Sequence, residues 1–343
     1  MAIISSTEQF IGFPPTLDTT ERRSALINAE SQPYTMQDFI DTINAGGGTL
    51  VGTQYLFVQA NGTDIANAAE LQAAYVTAQT MSPSATNRIT IIAAPGNYNF
   101  GSSAFLMSIS YIDLVSLDGN CSIIFNSNNV GGSIAVTALN TFVKGVDALT
   151  KNFFVGNALV LVTLENCKGG NFSFGGTTMA SGTFINCVGG DYSFGGSGGD
   201  ASGTFIGCTG GGTSFGGLTA FGSFTDCLSS DAGFASNGNA GGAFTNCISL
   251  DTTFSYSFGG YGFASGRFNN CTGGAGSFAG DGSASGVFSN CNGTLDSFGG
   301  ASGTLTGQLY YCRLTLPTNT FQTVSGAGRT VLCIDGNNNQ NNQ

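Results

Sequence analysis

From Cys167 onward a cysteine returns at a nearly fixed interval, at Cys187, Cys208, Cys227, Cys247, Cys271, Cys291, Cys312 and Cys333, with spacings of 20, 21, 19, 20, 24, 20, 21 and 21 residues. The surrounding phrase repeats with it: Gly-Thr-Phe-Ile-Asn-Cys at 182–187, Gly-Thr-Phe-Ile-Gly-Cys at 203–208, Gly-Ala-Phe-Thr-Asn-Cys at 242–247 and Gly-Val-Phe-Ser-Asn-Cys at 286–291. An apolar residue stands three positions before the cysteine, as in Phe184, Phe205, Phe224 and Phe244. A phenylalanine stands seven after it, as in Phe194, Phe215 and Phe254, and alanine stands seven before it in Ala180, Ala201, Ala220, Ala240, Ala264 and Ala284. A period of this length defines stacked units that cannot bury a core singly.

The content of each unit selects among repeat architectures. Short runs of β-branched and aromatic residues alternate with Gly-Gly, Gly-Asp and Ser-Asp turns, and no unit holds a helix-length amphipathic stretch. Each unit therefore reads as one coil of a β-solenoid. Coils stack about 4.8 Å apart, so equivalent residues form vertical ladders. Cys167, Cys187, Cys208, Cys227, Cys247, Cys271 and Cys291 form one, with Phe184, Phe205, Phe224 and Phe244 in a second and Phe194 and Phe215 in a third. Glycine, 54 residues of 343, is expected to serve corners that need positive φ. Side chains in a vertical ladder point in parallel and no Cys-x-x-Cys pair occurs, so the thiols read as buried small hydrophobes, with no metal site and no cofactor. Such a stack suits a reducing compartment.

Upstream, residues 67–80 read as a helix. Asn67 and Glu70 have capping-box spacing, and Leu71, Ala74, Tyr75 and Ala78 share one apolar face. A helix here would cover the open hydrophobic end of a solenoid. Residues 1–55 fit neither pattern, with Pro14-Pro15, the charged Glu21-Arg22-Arg23 and the Gly46-Gly47-Gly48 linker, and read as an attachment or oligomerisation arm. The β-helix is expected over 56–335, and 336–343 reads as a polar, solvated tail.

The strand Ile89–Ala93 followed by the Pro95-Gly96-Asn97-Tyr98 turn resembles the opening coils of pectate-lyase-like proteins. That resemblance implies an all-β chain folded as a single-stranded right-handed parallel β-helix of about 20-residue coils. An irregular arm, a capping helix and a glycine-rich β-helix together resemble a bacteriophage tailspike, tail fibre or other virion appendage. The resemblance implies a homotrimer in the virion, assembled in the reducing host cytoplasm. Its arm would dock on other virion proteins, and its β-helix would touch host surface polysaccharide.

Composition removes other classes. With no histidine in the chain, Ser-His-Asp hydrolysis, Cys-His proteolysis and His-ligated zinc or haem are excluded. Nine scattered basic residues and a net charge of −11 argue against nucleic acid and against anionic membrane surfaces. Met1–Phe10 lacks the basic start and apolar core of a Sec-type signal, and no run of apolar residues is long enough for membrane insertion.

Two sets of residues are candidates for a site. Asp191, Asp231 and Asp251 share the position four after the cysteine; Asp231 and Asp251 would lie about 4.8 Å apart, near the spacing of a retaining glycosidase pair. This is also a corner where Asp, Asn and Gly serve turn geometry. The 24-residue interval after Cys247 inserts about four residues near 254–263, where Tyr256 and Tyr261 offer rings for a sugar to stack on. The sequence favours a non-enzymatic appendage that adheres to host glycan. The alternatives are a polysaccharide hydrolase using the paired aspartates, and a capsid decoration protein or cell-surface adhesin.

Overall fold

The computed structural model describes residues 54–126, 134–149, 153–155, 162–175, 179–196, 198–235, 237–250, 256–259, 261–279, 281–299, 304–315, 328–335 and 337–342. The expected arm, 1–55, lies outside them except for its last two residues. Gln54 and Tyr55 begin the first strand, Gln54–Val58, which pairs in parallel with Ile89–Ala93.

Parallel strands stack as a β-solenoid of about 21-residue coils. Among the described residues one sheet holds 13 strands in coil order, running from Gln54–Val58 to Arg329–Val331. Its register aligns Phe184 with Phe205, Phe224, Phe244, Phe268 and Phe288, so the sequence period becomes spatial alignment. A second face follows each cysteine, as in Thr209–Gly212 and Leu228–Asp231. A third carries the alanines, with Ala201 beside Ala220 and Ala220 beside Ala240.

Between the faces lies a core of two interlocked phenylalanine stacks. Within the sheet stack, successive rings from Phe184 to Phe288 lie 4.7–5.0 Å apart and nearly parallel. The corner stack, Phe174, Phe194, Phe215, Phe234, Phe258, Phe278 and Phe298, repeats at 4.7–4.9 Å. Rings of one stack meet the other edge-on, at 5.5–6.0 Å. Both stacks are closed to solvent. Each buried ring contributes roughly 1.5–3 kcal/mol relative to exposure.

The corner stack differs from the sequence expectation in one coil. Phe258, eleven residues after Cys247, fills the place between Phe234 and Phe278, and Phe254 lies outside the described residues. The insertion therefore falls between Ser249, which pairs with Ser229, and Ser257, whose carbonyl accepts from the Phe278 amide. Glycine takes positive φ at the corners as expected, in Gly175, Gly195, Gly216, Gly259 and Gly299 at 76–95°, yet non-glycine residues take it beside them. The left-handed corners are carried by the stacking phenylalanines, at φ of 47–58° from Phe174 to Phe298, and by the residue before the cysteine: Asn166, Asn186, Asp226, Asn246, Asn270 and Asn290, at 50–54°. Left-handed backbone costs a non-glycine residue roughly 1–3 kcal/mol, offset at the phenylalanines by ring burial. At the asparagines the side chains form a ladder, with Asn246 Nδ2 donating to Asp226 at 2.8 Å and Asn270 Nδ2 to Asn246 at 2.9 Å.

Other glycines serve close approach. Gly182, Gly203, Gly222, Gly242, Gly266, Gly286 and Gly307 bend the chain from the alanine face into the main sheet. A Cβ on Gly203, Gly222, Gly242, Gly266, Gly286 or Gly307 would fall 2.2–2.3 Å from the carbonyl oxygen of the glycine one coil earlier.

A second contact couples two positions within each coil. Gly189, Gly210, Gly273 and Gly293 face Ser193, Ser214, Ser277 and Ser297, and a Cβ on the glycine would lie 2.4–2.5 Å from the serine Cβ. In the Cys227 coil the pair is exchanged: Ser229 faces Gly233, whose Cβ would lie 2.3 Å from that of Ser229. The Cys247 coil, with its extra residues, holds serine at both places, and the hydroxyls of Ser249 and Ser257 are bonded at 2.5 Å. Gly210→Ser is expected to cost about 1–3 kcal/mol by overpacking. Adding Ser214→Gly rebuilds the Ser229–Gly233 arrangement and should recover most of it. Urea midpoints of the single and double variants check this coupling, and a double variant no better than the single would refute it.

The helix expected near 67–80 spans Asp64–Thr80, and its N-cap is Thr63, whose hydroxyl accepts from the Ala66 amide at 3.3 Å. Asn67 is buried inside the helix and does not cap it: its Oδ1 accepts from Gly62 N, and its Nδ2 donates to Asn97 O. Leu71, Tyr75 and Ala78 are buried, Ala74 partly so, and the Tyr75 ring meets Phe105 edge-on at 5.4 Å. Its hydroxyl accepts from the Ser108 and Ile109 amides, fastening the helix to the solenoid. At the other end the polar tail turns back. Gln340–Asn341 pairs antiparallel with Cys333–Ile334, while 337–340 stay exposed.

Candidate functional site

The cysteine ladder is internal. Cys167 to Cys333 are buried, Cys121 is exposed, and all ten thiols are free. Each ladder thiol bonds two main-chain carbonyls, as Cys208 Sγ does with Phe184 O at 3.3 Å and Ile206 O at 3.6 Å. Burial pushes the Cys187 and Cys247 thiols well above their usual range. Cys121, off the ladder, bonds Asn166 O, and partial burial with the nearby Cys167 and Asp147 pushes its thiol up to about 11. Among the described residues no group of acidic or cysteine side chains has metal-site geometry.

Of the aspartates proposed from sequence, Asp191 and Asp231 stand two coils apart, as their offsets place them. They lie on either side of Gly212, both exposed. Asp191 Oδ1 accepts from the Gly212 amide at 2.8 Å, and the Asp191 amide donates to Asn171 Oδ1 at 2.9 Å. This side chain therefore satisfies the backbone of the next coil, a turn role that the residue type also predicts. Asp251, the proposed partner of Asp231, lies outside the described residues.

Tyr256 and Tyr261, in contrast, meet. They approach from opposite flanks of the Phe258 corner, with ring centroids 3.9 Å apart and planes at 47°. Tyr256 leans over Gly276, where a Cβ would strike its ring at 2.7 Å, so the close contact requires glycine there. Its hydroxyl is hydrogen-bonded to Asp281 in the next coil, and that bond, with partial burial and the carboxylate's charge, pushes the phenol up to about 12. Tyr261 is 57% exposed. Two rings and a carboxylate acceptor thus share one outward corner of a rigid scaffold. Asp281 escaped sequence reasoning because nothing within its own coil marks it; the stacking of Gly282 on Gly262 brings it level with Tyr261.

A second aromatic pair was also missed. Phe172 and Tyr192 stack at 5.1 Å on the same corner column, two residues before the ladder phenylalanine, and are 37% and 40% exposed. The signal was an aromatic residue at that offset in three coils, Phe172, Tyr192 and Tyr256.

Comparison with protein-family models, with curated proteins and with solved structures finds no match to this chain. Among the described residues no helix is long and apolar enough to cross a membrane.

Proposed function

We propose that the protein is a virion appendage of the tailspike or tail-fibre type, a rigid β-helix that adheres to host surface glycan. The observation that carries this reading is the corner formed by Tyr256, Tyr261 and Asp281. A sugar offers an apolar C–H face to a ring and hydroxyls to a carboxylate, and both partners stand together here at fixed spacing. The aromatic stack through Phe258 and Phe278 lies beneath that corner, which lowers the backbone ordering cost on binding. The expected assembly is a homotrimer attached to other virion proteins through the segment 1–55, which leaves the solenoid free to project.

Tyr261→Ala should weaken binding of purified host capsular polysaccharide or O-chains about tenfold, or roughly 1.4 kcal/mol, with the melting temperature nearly unchanged. Biolayer interferometry on the full chain measures the first and calorimetry the second. Binding that is absent in the parent chain, or equal in the two, would overturn the reading.

A further inference from the structure

A groove runs along the edge where the alanine face turns into the main sheet. One stretch, about 580 Å3, has Gly222, Gly242 and Gly266 as its floor, with Phe221, Ser265 and Arg267 among its walls. A second stretch, about 480 Å3, continues it through the shared residues Ser202, Gly203 and Thr204 toward Arg88. The floor is backbone because no side chain fits above the stacked glycines, so the depression is built by the repeat.

In the first stretch two side chains break the pattern of small residues. Phe221 is 56% exposed, and its ring lies over Gly241 in the next coil, where a Cβ would strike it at 2.4 Å. The ring is thereby held with an open face. Arg267 occupies the register place after Ala243, two coils beyond Phe221, and among the described residues it has no ion-pair partner. At the far end Arg88 is occupied, bonding Asp113 through Nε at 3.0 Å. The groove thus presents an aromatic platform and a free guanidinium on coils two steps apart, about 9.6 Å along the axis at the usual strand spacing.

We propose that this groove is a second binding site, separate from the tyrosine corner, for a linear polysaccharide containing uronate residues. One pyranose stacks on Phe221 and the carboxylate of the adjoining uronate takes the Arg267 fork, a planar pairing that guanidinium favours. Neighbouring sugars follow the glycine floor, exchanging hydroxyl hydrogen bonds with Ser202, Thr204, Ser223 and Ser265. The net charge of −11 opposes a densely charged polyanion. The fit is therefore to a chain with carboxylates spaced by neutral sugars.

The test uses a hexasaccharide of alternating glucuronate and N-acetylglucosamine, and the same hexasaccharide with its carboxyl groups reduced to alcohols, titrated calorimetrically into the full chain. The parent should bind the acidic form at least tenfold more tightly than the reduced form. Arg267→Gln should abolish that preference, Phe221→Ala should weaken both forms, and Tyr261→Ala should leave the preference for the acidic form in place. Absence of binding, equal affinity for the two forms, or an unaltered preference in Arg267→Gln would overturn the proposal. Loss of the preference in Tyr261→Ala would assign it to the corner and overturn the proposal too. Because the two sites are probed by different variants, failure at one is distinguishable from failure at the other.

Discussion

Phe215→Ala is expected to lower the unfolding free energy by about 3–5 kcal/mol, the range for truncating a buried aromatic side chain. The ring is inaccessible to solvent and is held on four sides. Phe194 and Phe234 stack above and below at 4.8 and 4.9 Å, and Phe205 and Phe224 meet it edge-on at 5.8 and 6.0 Å. The coils are fixed by main-chain ladders and cannot collapse into the space left, so the cavity term is retained. Phe221→Ala removes the same side chain from an exposed position and should cost under about 1 kcal/mol. Urea denaturation of the two variants measures the contrast, and comparable losses would contradict the packing described.

A single methyl group should be nearly as damaging at the bend glycines. The Cβ of Gly222→Ala would fall 2.2 Å from Gly203 O and 3.1 Å from Gly203 N, both main chain. Relief requires two coils to separate, which breaks the hydrogen bond from Ser223 N to Gly203 O. A loss of about 3 kcal/mol follows, at the upper end for overpacking. Gly198→Asn is the matched control. Its φ is 76° with nothing within 4 Å of a Cβ, so asparagine, which tolerates left-handed backbone, should be accepted there. Melting temperatures near that of the parent for Gly222→Ala would show that the coils are not held at this spacing.

Much of the core was legible because a ladder repeats its own signal. Phe184, Phe205, Phe224 and Phe244, the cysteines and the alanines recur at one offset, and parallel stacking turns that offset into contact. The capping helix was legible from Leu71, Tyr75 and Ala78, yet its start was misplaced. Asn67 and Glu70 have the spacing of a capping box, while Thr63, four residues earlier, makes the capping bond. Asn67 is used across 30 residues of chain, on Asn97, a partner that local spacing does not reveal. Counting seven residues from Cys247 leads to Phe254 for a related reason: it assumes that extra residues follow the corner, whereas Phe258 fills the stack and they precede it.

The candidate site was half legible. Tyr256 and Tyr261 stood out as aromatic residues in an irregular interval, but Asp281, Phe221 and Arg267 belong to other coils. Asp191 and Asp231 shared an offset that chemistry could use, and the geometry gives the first of them to the Gly212 amide.

The amino-acid sequence by itself determined the coil, its period, the identity of the ladders and the charge-poor interior, because burial of a repeated apolar residue is a property of the repeat. Tertiary structure alone decided which glycines serve contact and which serve φ, because an inter-coil distance of 2.2 Å is set by two backbones in register. It also decided the outward sites. A ring, a carboxylate and a guanidinium come to share a site only when coils stack, and the sequence places them 20 to 46 residues apart.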